Sequence, residues 1–90
     1  MTFDHLVLSL GSVTDFRDAP GLYEHAFSFK NLGDAVRLRN HVIRVIAEAS
    51  IETDPDRRKT LLTFVVAGGG FSGVEVVAEM NDFLLSLIHI

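Results

Sequence analysis

The sequence predicts an α/β chain in which apolar strands alternate with amphipathic helices, and three observations predict it. Leu61, Leu62, Phe64, Val65 and Val66 form an apolar, β-favouring run of the length of a buried parallel strand. That run enters the glycine turn Gly68-Gly69-Gly70-Phe71-Ser72-Gly73, which opens directly into a helical pattern. A second apolar run, from Phe3 to Leu10, stops at Gly11-Ser12 as a strand ending in a small-residue turn does. The predicted order is N-terminal strand, long helix, short helix, strand, glycine turn and final helix, which makes part of a Rossmann-like fold.

The first strand has two readings. Its C-terminal end lies against a ligand, where open α/β sheets bind, or it is an ordinary core strand. Residues 12–30 show no sustained period, and Ala19-Pro20-Gly21 marks a turn in their middle. Tyr23, Phe27 and Phe29 can anchor this connection, and Ala26 to Phe29 alternates enough for a short strand. The long helix starts at Asn31-Leu32-Gly33-Asp34, with Asn31 as N-cap and Asp34 three residues on as its capping-box partner. Its apolar stripe takes in Leu32, Ala35, Val36, Leu38, Val42, Ile43, Val45, Ile46 and Ala49, with Arg37, Arg39 and Arg44 largely off it. His41 sits at the stripe's edge, as a packing or surface histidine. Asp54-Pro55 starts the short helix, with proline at its first position, and Arg57, Arg58 and Lys59 suit the negative dipole end at its close. In the last helix Val74, Val77, Ala78 and Leu85 form the predicted packing stripe, and Glu75, Glu79 and Asp82 fall together beside it.

The turn reads G-x-G-x-x-G, with Gly68, Gly70 and Gly73 in the fixed positions. The first glycine makes the tight turn, the second lets backbone approach a pyrophosphate, and the third lets helix pack on strand. The N–H groups and positive dipole end of the first helical turn would then face the anion. The competing reading is a glycine turn with a structural role alone.

Ninety residues make one small domain at most, and a chain of this size buries only somewhat more than about 60% of its unfolded surface. A complete dinucleotide-dependent enzyme needs two βαβαβ halves, so the expectation is a piece of a larger protein. A hydrophobic content of 48% fits a piece of an interior. The formal charge of −4, from eight basic and twelve acidic residues, excludes a nucleic-acid backbone as the expected partner. With no cysteine there is no disulfide, thiolate nucleophile or cysteine metal site in this stretch, and the compartment stays open. No basic region followed by an apolar core stands near Met1, so no signal peptide is expected. The terminal run Phe83 to Ile90 is too short for a bilayer, which takes about 20 residues. The histidines at 5, 25, 41 and 89 lack metal-ligand spacing, and Ser72 lacks the spacing of a nucleophile elbow. Glu75 and Glu79 share a helix face without a second shell of carboxylates. No catalytic residue and no metal site is therefore assigned.

Two separated stretches resemble one family, the type II NADH dehydrogenases, flavoproteins of the two-dinucleotide-binding-domain group. Phe3-Asp4-His5-Leu6-Val7-Leu8-Ser9-Leu10-Gly11-Ser12 is similar to the family's second FAD motif, with Phe3 where tyrosine is usual and Ser9 where alanine is usual. Gly68-Gly69-Gly70-Phe71-Ser72-Gly73-Val74-Glu75, continuing to Glu79, resembles its NADH fingerprint. Pro20-Gly21 and the entry from Phe29 to Ala35 resemble the family's crossing between domains, and the likeness runs roughly from residue 3 to 83. It implies that residues 1–30 end an FAD-binding domain and that residues 31–90 are the first part of an NADH-binding domain. Ser9, Leu10, Gly11 and Ser12 would lie near FAD. Gly68, Gly69, Gly70, Phe71, Ser72 and Gly73 would line the NADH pyrophosphate, and Glu75 would reach the nicotinamide side. The chain has no acid after Asp82 to hold a ribose hydroxyl, so NADH over NADPH is implied by the resemblance alone.

The function so implied is hydride transfer from NADH to FAD, with electrons passing on to a quinone, by a parent that is cytoplasmic or peripheral on an inner membrane. Related reductases with the same two motifs use disulfides, oxygen or iron-sulfur proteins. The stretch alone is not expected to turn over, and the missing remainder of the enzyme is its expected partner. The alternative is a small non-catalytic α/β nucleotide-binding or oligomerisation module, its exposed apolar surface buried between copies.

Overall fold

The computed structural model describes residues 1–88; His89 and Ile90, the end of the terminal apolar run, lie outside the described residues. The chain forms two compact units, Met1–Ile51 and Glu52–Ile90. Four helices occur among the described residues: α1 (Leu22–His25), α2 (Leu32–Ile51), α3 (Pro55–Leu61) and α4 (Phe71–Ile88).

In the first unit, residues 1–15 take no regular structure apart from a bend at Asp4. A turn then follows that the sequence did not signal, in which Arg17 and Asp18 both take left-handed backbone, φ 48° and 51°. The Asp15 carboxylate accepts from Arg17 N–H at 2.8 Å and Phe16 carbonyl accepts from Ala19 N–H at 3.0 Å, which holds residues that otherwise avoid this region. Gly21, at φ 80°, closes the Pro20 turn and leads into the single turn of α1, so the short strand expected at Ala26–Phe29 is absent. Phe16 and Tyr23 meet edge to face, with ring centroids 5.5 Å apart.

α2 begins as its sequence predicts. Asn31 Oδ1 accepts from Asp34 N–H at 3.0 Å, and Asp34 Oδ2 accepts from Asn31 N–H at 3.3 Å, a reciprocal capping box. Asp34 Oδ2 also accepts from Lys30 N–H at 2.9 Å. Val42, Val45 and Ala49 are buried, and Ala35 and Leu38 extend the same i, i+3, i+7 line half-covered. Leu32 and Val36, placed on the stripe by sequence, are exposed. His41 packs against Phe27, with centroids 4.7 Å apart, and its Nδ1 lies 3.0 Å from Arg44. A guanidinium can only donate, so Nδ1 accepts.

In the second unit, Asp54 caps α3 by accepting from Asp56 N–H at 3.0 Å, with Pro55 at the first helical position. Glu52 braces this start: one carboxylate oxygen accepts from Asp54 N–H and the other pairs with Arg57 at 3.0 Å. Residues 63–69 follow without regular structure and lead into α4. The predicted packing stripe of α4 is not the covered one. Val74, Val77 and Leu85 are exposed, whereas Val76, Met80, Phe83, Leu84 and Leu87 are half-covered.

The α/β fold class is therefore corrected: no strand and no sheet occurs among the described residues, and both predicted strands fail. Leu6, Val7, Leu8 and Leu10 are exposed in the first run, and Val65 is 88% exposed in the second. Leu61 instead ends α3 and Leu62 caps it. A strand is stable only when a neighbour satisfies its backbone N–H and C=O groups and its faces are covered. Neither run has such a neighbour among the described residues, so strand-like composition leaves irregular chain.

Candidate functional site

Three consecutive glycines leave the backbone of 68–70 bare where the chain enters α4. Gly68 takes φ 117°, which a side chain would strain. A Cβ at Gly68, Gly69 or Gly70 would meet no atom within 4 Å. No packing contact among the described residues requires Gly69 or Gly70 to lack a side chain. Gly73 differs. A Cβ there would fall on the Gly68 carbonyl oxygen and lie 3.1 Å from the carbonyl carbon, with Val66 Cγ1 at 3.7 Å. The first turn of α4 and the start of the glycine turn can touch only because Gly73 has no side chain.

Val74 N–H donates to Gly70 carbonyl at 3.1 Å, the first backbone bond of α4. The N–H groups of Phe71, Ser72 and Gly73 precede it and have no acceptor within the helix. No acidic residue stands in this first turn to oppose an anion. Phe71 is 93% exposed, Ser72 is exposed, and Glu75 projects from the exposed stripe it shares with Glu79 and Asp82. An open depression of about 230 Å³ runs along the turn, lined by Val66, Gly68, Gly69, Gly73, Val74 and Val77. The turn therefore offers glycine backbone, a helix N-terminus and three valines, which suit a phosphate group joined to a less polar body.

Ser9, Leu10, Gly11 and Ser12 lie in the first unit, and all four are exposed. Gly11 takes φ 71°, and a Cβ there would meet nothing within 4 Å, so this irregular segment too presents bare backbone. Lys30 Nζ donates to Ser12 Oγ at 2.9 Å, a tie across eighteen residues that the sequence did not disclose. Asp34, at the end of the same chain of contacts, has its carboxyl pKa lowered. The Lys30 backbone N–H is the main cause, burial opposes it, and the Ser28 side chain, Asn31 N–H and Arg37 charge assist. A depression of about 340 Å³ in this first unit is bordered by Phe16, Tyr23, Phe27, Asp34 and Arg37.

Among the described residues no three histidine, aspartate or glutamate side chains converge as metal ligands, and no helix is long and apolar enough to cross a membrane. No protein-family model and no solved structure matches the chain. Curated proteins do. The chain is 42% identical over 81 residues to the external alternative NADH-ubiquinone oxidoreductase, mitochondrial, of Yarrowia lipolytica, a match covering 90% of the chain and 14% of that protein. It is 41% identical over 86 residues to the external NADH-ubiquinone oxidoreductase 2, mitochondrial, of Saccharomyces cerevisiae, covering 93% of the chain and 16% of that protein. It is likewise 41% identical over 86 residues to the external alternative NAD(P)H-ubiquinone oxidoreductase B4, mitochondrial, of Arabidopsis thaliana, covering 94% of the chain and 15% of that protein.

All three relatives are named for NADH or NAD(P)H and ubiquinone. The relatives the chain matches over about 90% of its length are type II, or alternative, NAD(P)H-ubiquinone oxidoreductases, and it spans only 14–16% of their length.

Proposed function

We propose that the chain is a stretch of a flavoprotein that passes electrons from NADH through FAD to a quinone. The observation that carries this is the identity, sustained over about 90% of the chain, to proteins named for NADH and ubiquinone. The glycine turn supports the nucleotide part. Gly69 and Gly70 border open space that a side chain would fill, as a pyrophosphate site requires. In this reading Gly68, Gly69 and Gly70 let the pyrophosphate approach, and the N–H groups of Phe71, Ser72 and Gly73 hold its charge. Glu75 faces the nicotinamide side, and Ser9, Leu10, Gly11 and Ser12 border FAD, with Gly11 giving the same freedom of approach. The cofactors supply the redox chemistry, hydride leaving NADH and electrons passing by way of the flavin to a quinone. The chain's own residues bind and orient.

Residues 1–30 then close the FAD-binding part and residues 31–90 open the NADH-binding part. The exposed valines and leucine of α4, Val74, Val77 and Leu85, are covered in the working protein by polypeptide outside this stretch. The test is NADH oxidation by the native gene product carrying Gly70→Val. The expected result is a KM for NADH raised at least about tenfold with bound FAD retained. An unchanged KM would remove the pyrophosphate from this turn.

A further inference from the structure

Lys30 has two hydrogen bonds that reach in different directions. Its ammonium Nζ donates to Ser12 Oγ at 2.9 Å. Its backbone N–H donates to Asp34 Oδ2 at 2.9 Å, the oxygen that also accepts from Asn31 in the cap of α2. One residue thus ties the irregular segment at Gly11-Ser12 to the first turn of a twenty-residue helix whose Val42, Val45 and Ala49 are buried. Among the described residues, 9–12 have no other anchor of comparable reach: they form no ladder and no helix, all four are exposed, and Gly11 at φ 71° has open space around it. A segment of that kind pays conformational entropy to hold one geometry unless something fixes it. The bond to Ser12 is charge-assisted, which makes it stronger than a neutral one.

We propose that Lys30 is a positioning residue for the cofactor segment: it holds Ser12, and through it the neighbouring Gly11, in the geometry that receives FAD, using the capped end of α2 as its base. The inference rests on the reading that Ser9–Ser12 borders FAD. Lys30 acts through Ser12 Oγ, which accepts from its ammonium and keeps its own hydroxyl proton to donate elsewhere.

The test uses the native flavoprotein and reads the FAD dissociation constant and the flavin absorption spectrum for Lys30→Met, Ser12→Ala, the double variant, Lys30→Arg and Gly11→Val. Lys30→Met and Ser12→Ala should each weaken FAD about tenfold and shift the flavin spectrum in the same way. The double variant should be no weaker than either single, because the two side chains act as one unit. Lys30→Arg, which keeps the charge and the donor, should recover most of the affinity. If Lys30→Met does not fold, Lys30→Arg with and without Ser12→Ala reads the same coupling. Additive losses, or a Lys30→Met protein with unchanged FAD affinity while Gly11→Val loses the flavin, would overturn the positioning role and leave the FAD reading intact. No effect from Gly11→Val, Ser12→Ala and Lys30→Met alike would overturn both.

Discussion

Replacing Gly73 by alanine sets two known effects against each other. In an exposed helix the change would add stability, since glycine is less favourable than alanine by about 1 kcal/mol. Here the new Cβ falls on the Gly68 carbonyl oxygen, and the obstacle is backbone rather than the flexible end of a side chain. Forcing a methyl into such a place costs about 1–3 kcal/mol, and a rigid carbonyl puts the case at the upper end. The expected net effect is a loss of about 2 kcal/mol. Gly69→Ala and Gly70→Ala are the matched controls, because their Cβ atoms meet nothing within 4 Å and neither φ is in the left-handed region. Gly69→Ala should be neutral or gain a few tenths to about 1 kcal/mol through the unfolded chain. Gly70→Ala, at the N-cap of α4 where glycine outranks alanine, should lose a few tenths, and on the proposed reading both weaken NADH binding. Urea unfolding followed by far-ultraviolet circular dichroism measures the first quantity and NADH titration the second. A Gly73→Ala protein as stable as the parent would refute the account of the turn.

Three further outcomes follow from other elements. Asn31→Ala removes the side-chain acceptor for Asp34 N–H and should lower the stability of the α2 start by about 1 kcal/mol, read by amide exchange at residues 32–35. Acidification should release the same cap. The Asp34 carboxyl pKa is lowered in the folded chain, so its contribution is present above the ordinary value of 3.8 and is lost as pH falls through the lower folded value. Protection of the Asn31 and Lys30 amides, taken relative to intrinsic exchange at each pH, should fall across that range in the parent and stay flat in Asp34→Asn. Val42→Ala, at a side chain only 1% exposed, should cost about 2 kcal/mol by unfolding, whereas Val36→Ala, at 46% exposed, should change little.

What was legible in the sequence was local. Asn31 with Asp34, and Asp54 with Pro55, signal helix starts through groups three residues apart or fewer, and both starts form as read. The spacing of the glycine turn is local too, and it places the entry to α4 correctly, though the helix begins at Phe71 rather than after Gly73. The strands were not legible, because a strand is defined by a partner that the apolar run does not itself contain. The packing face of α4 was misread for a related reason. Val74, Val77 and Leu85 lie on one side and Val76, Met80, Phe83 and Leu87 on another, so periodicity marks two apolar faces and cannot choose between them. The tie from Lys30 to Ser12 crosses eighteen residues and leaves no pattern in the sequence.

The most direct measurement is quinone-dependent NADH oxidation by the gene product purified from its source, together with its flavin content. The account predicts a protein several times longer than this stretch, carrying FAD and oxidising NADH only when a quinone is supplied, in line with relatives of which the stretch covers 14–16%. A purified product that holds no flavin, or that leaves NADH unoxidised in the presence of quinone, would contradict it.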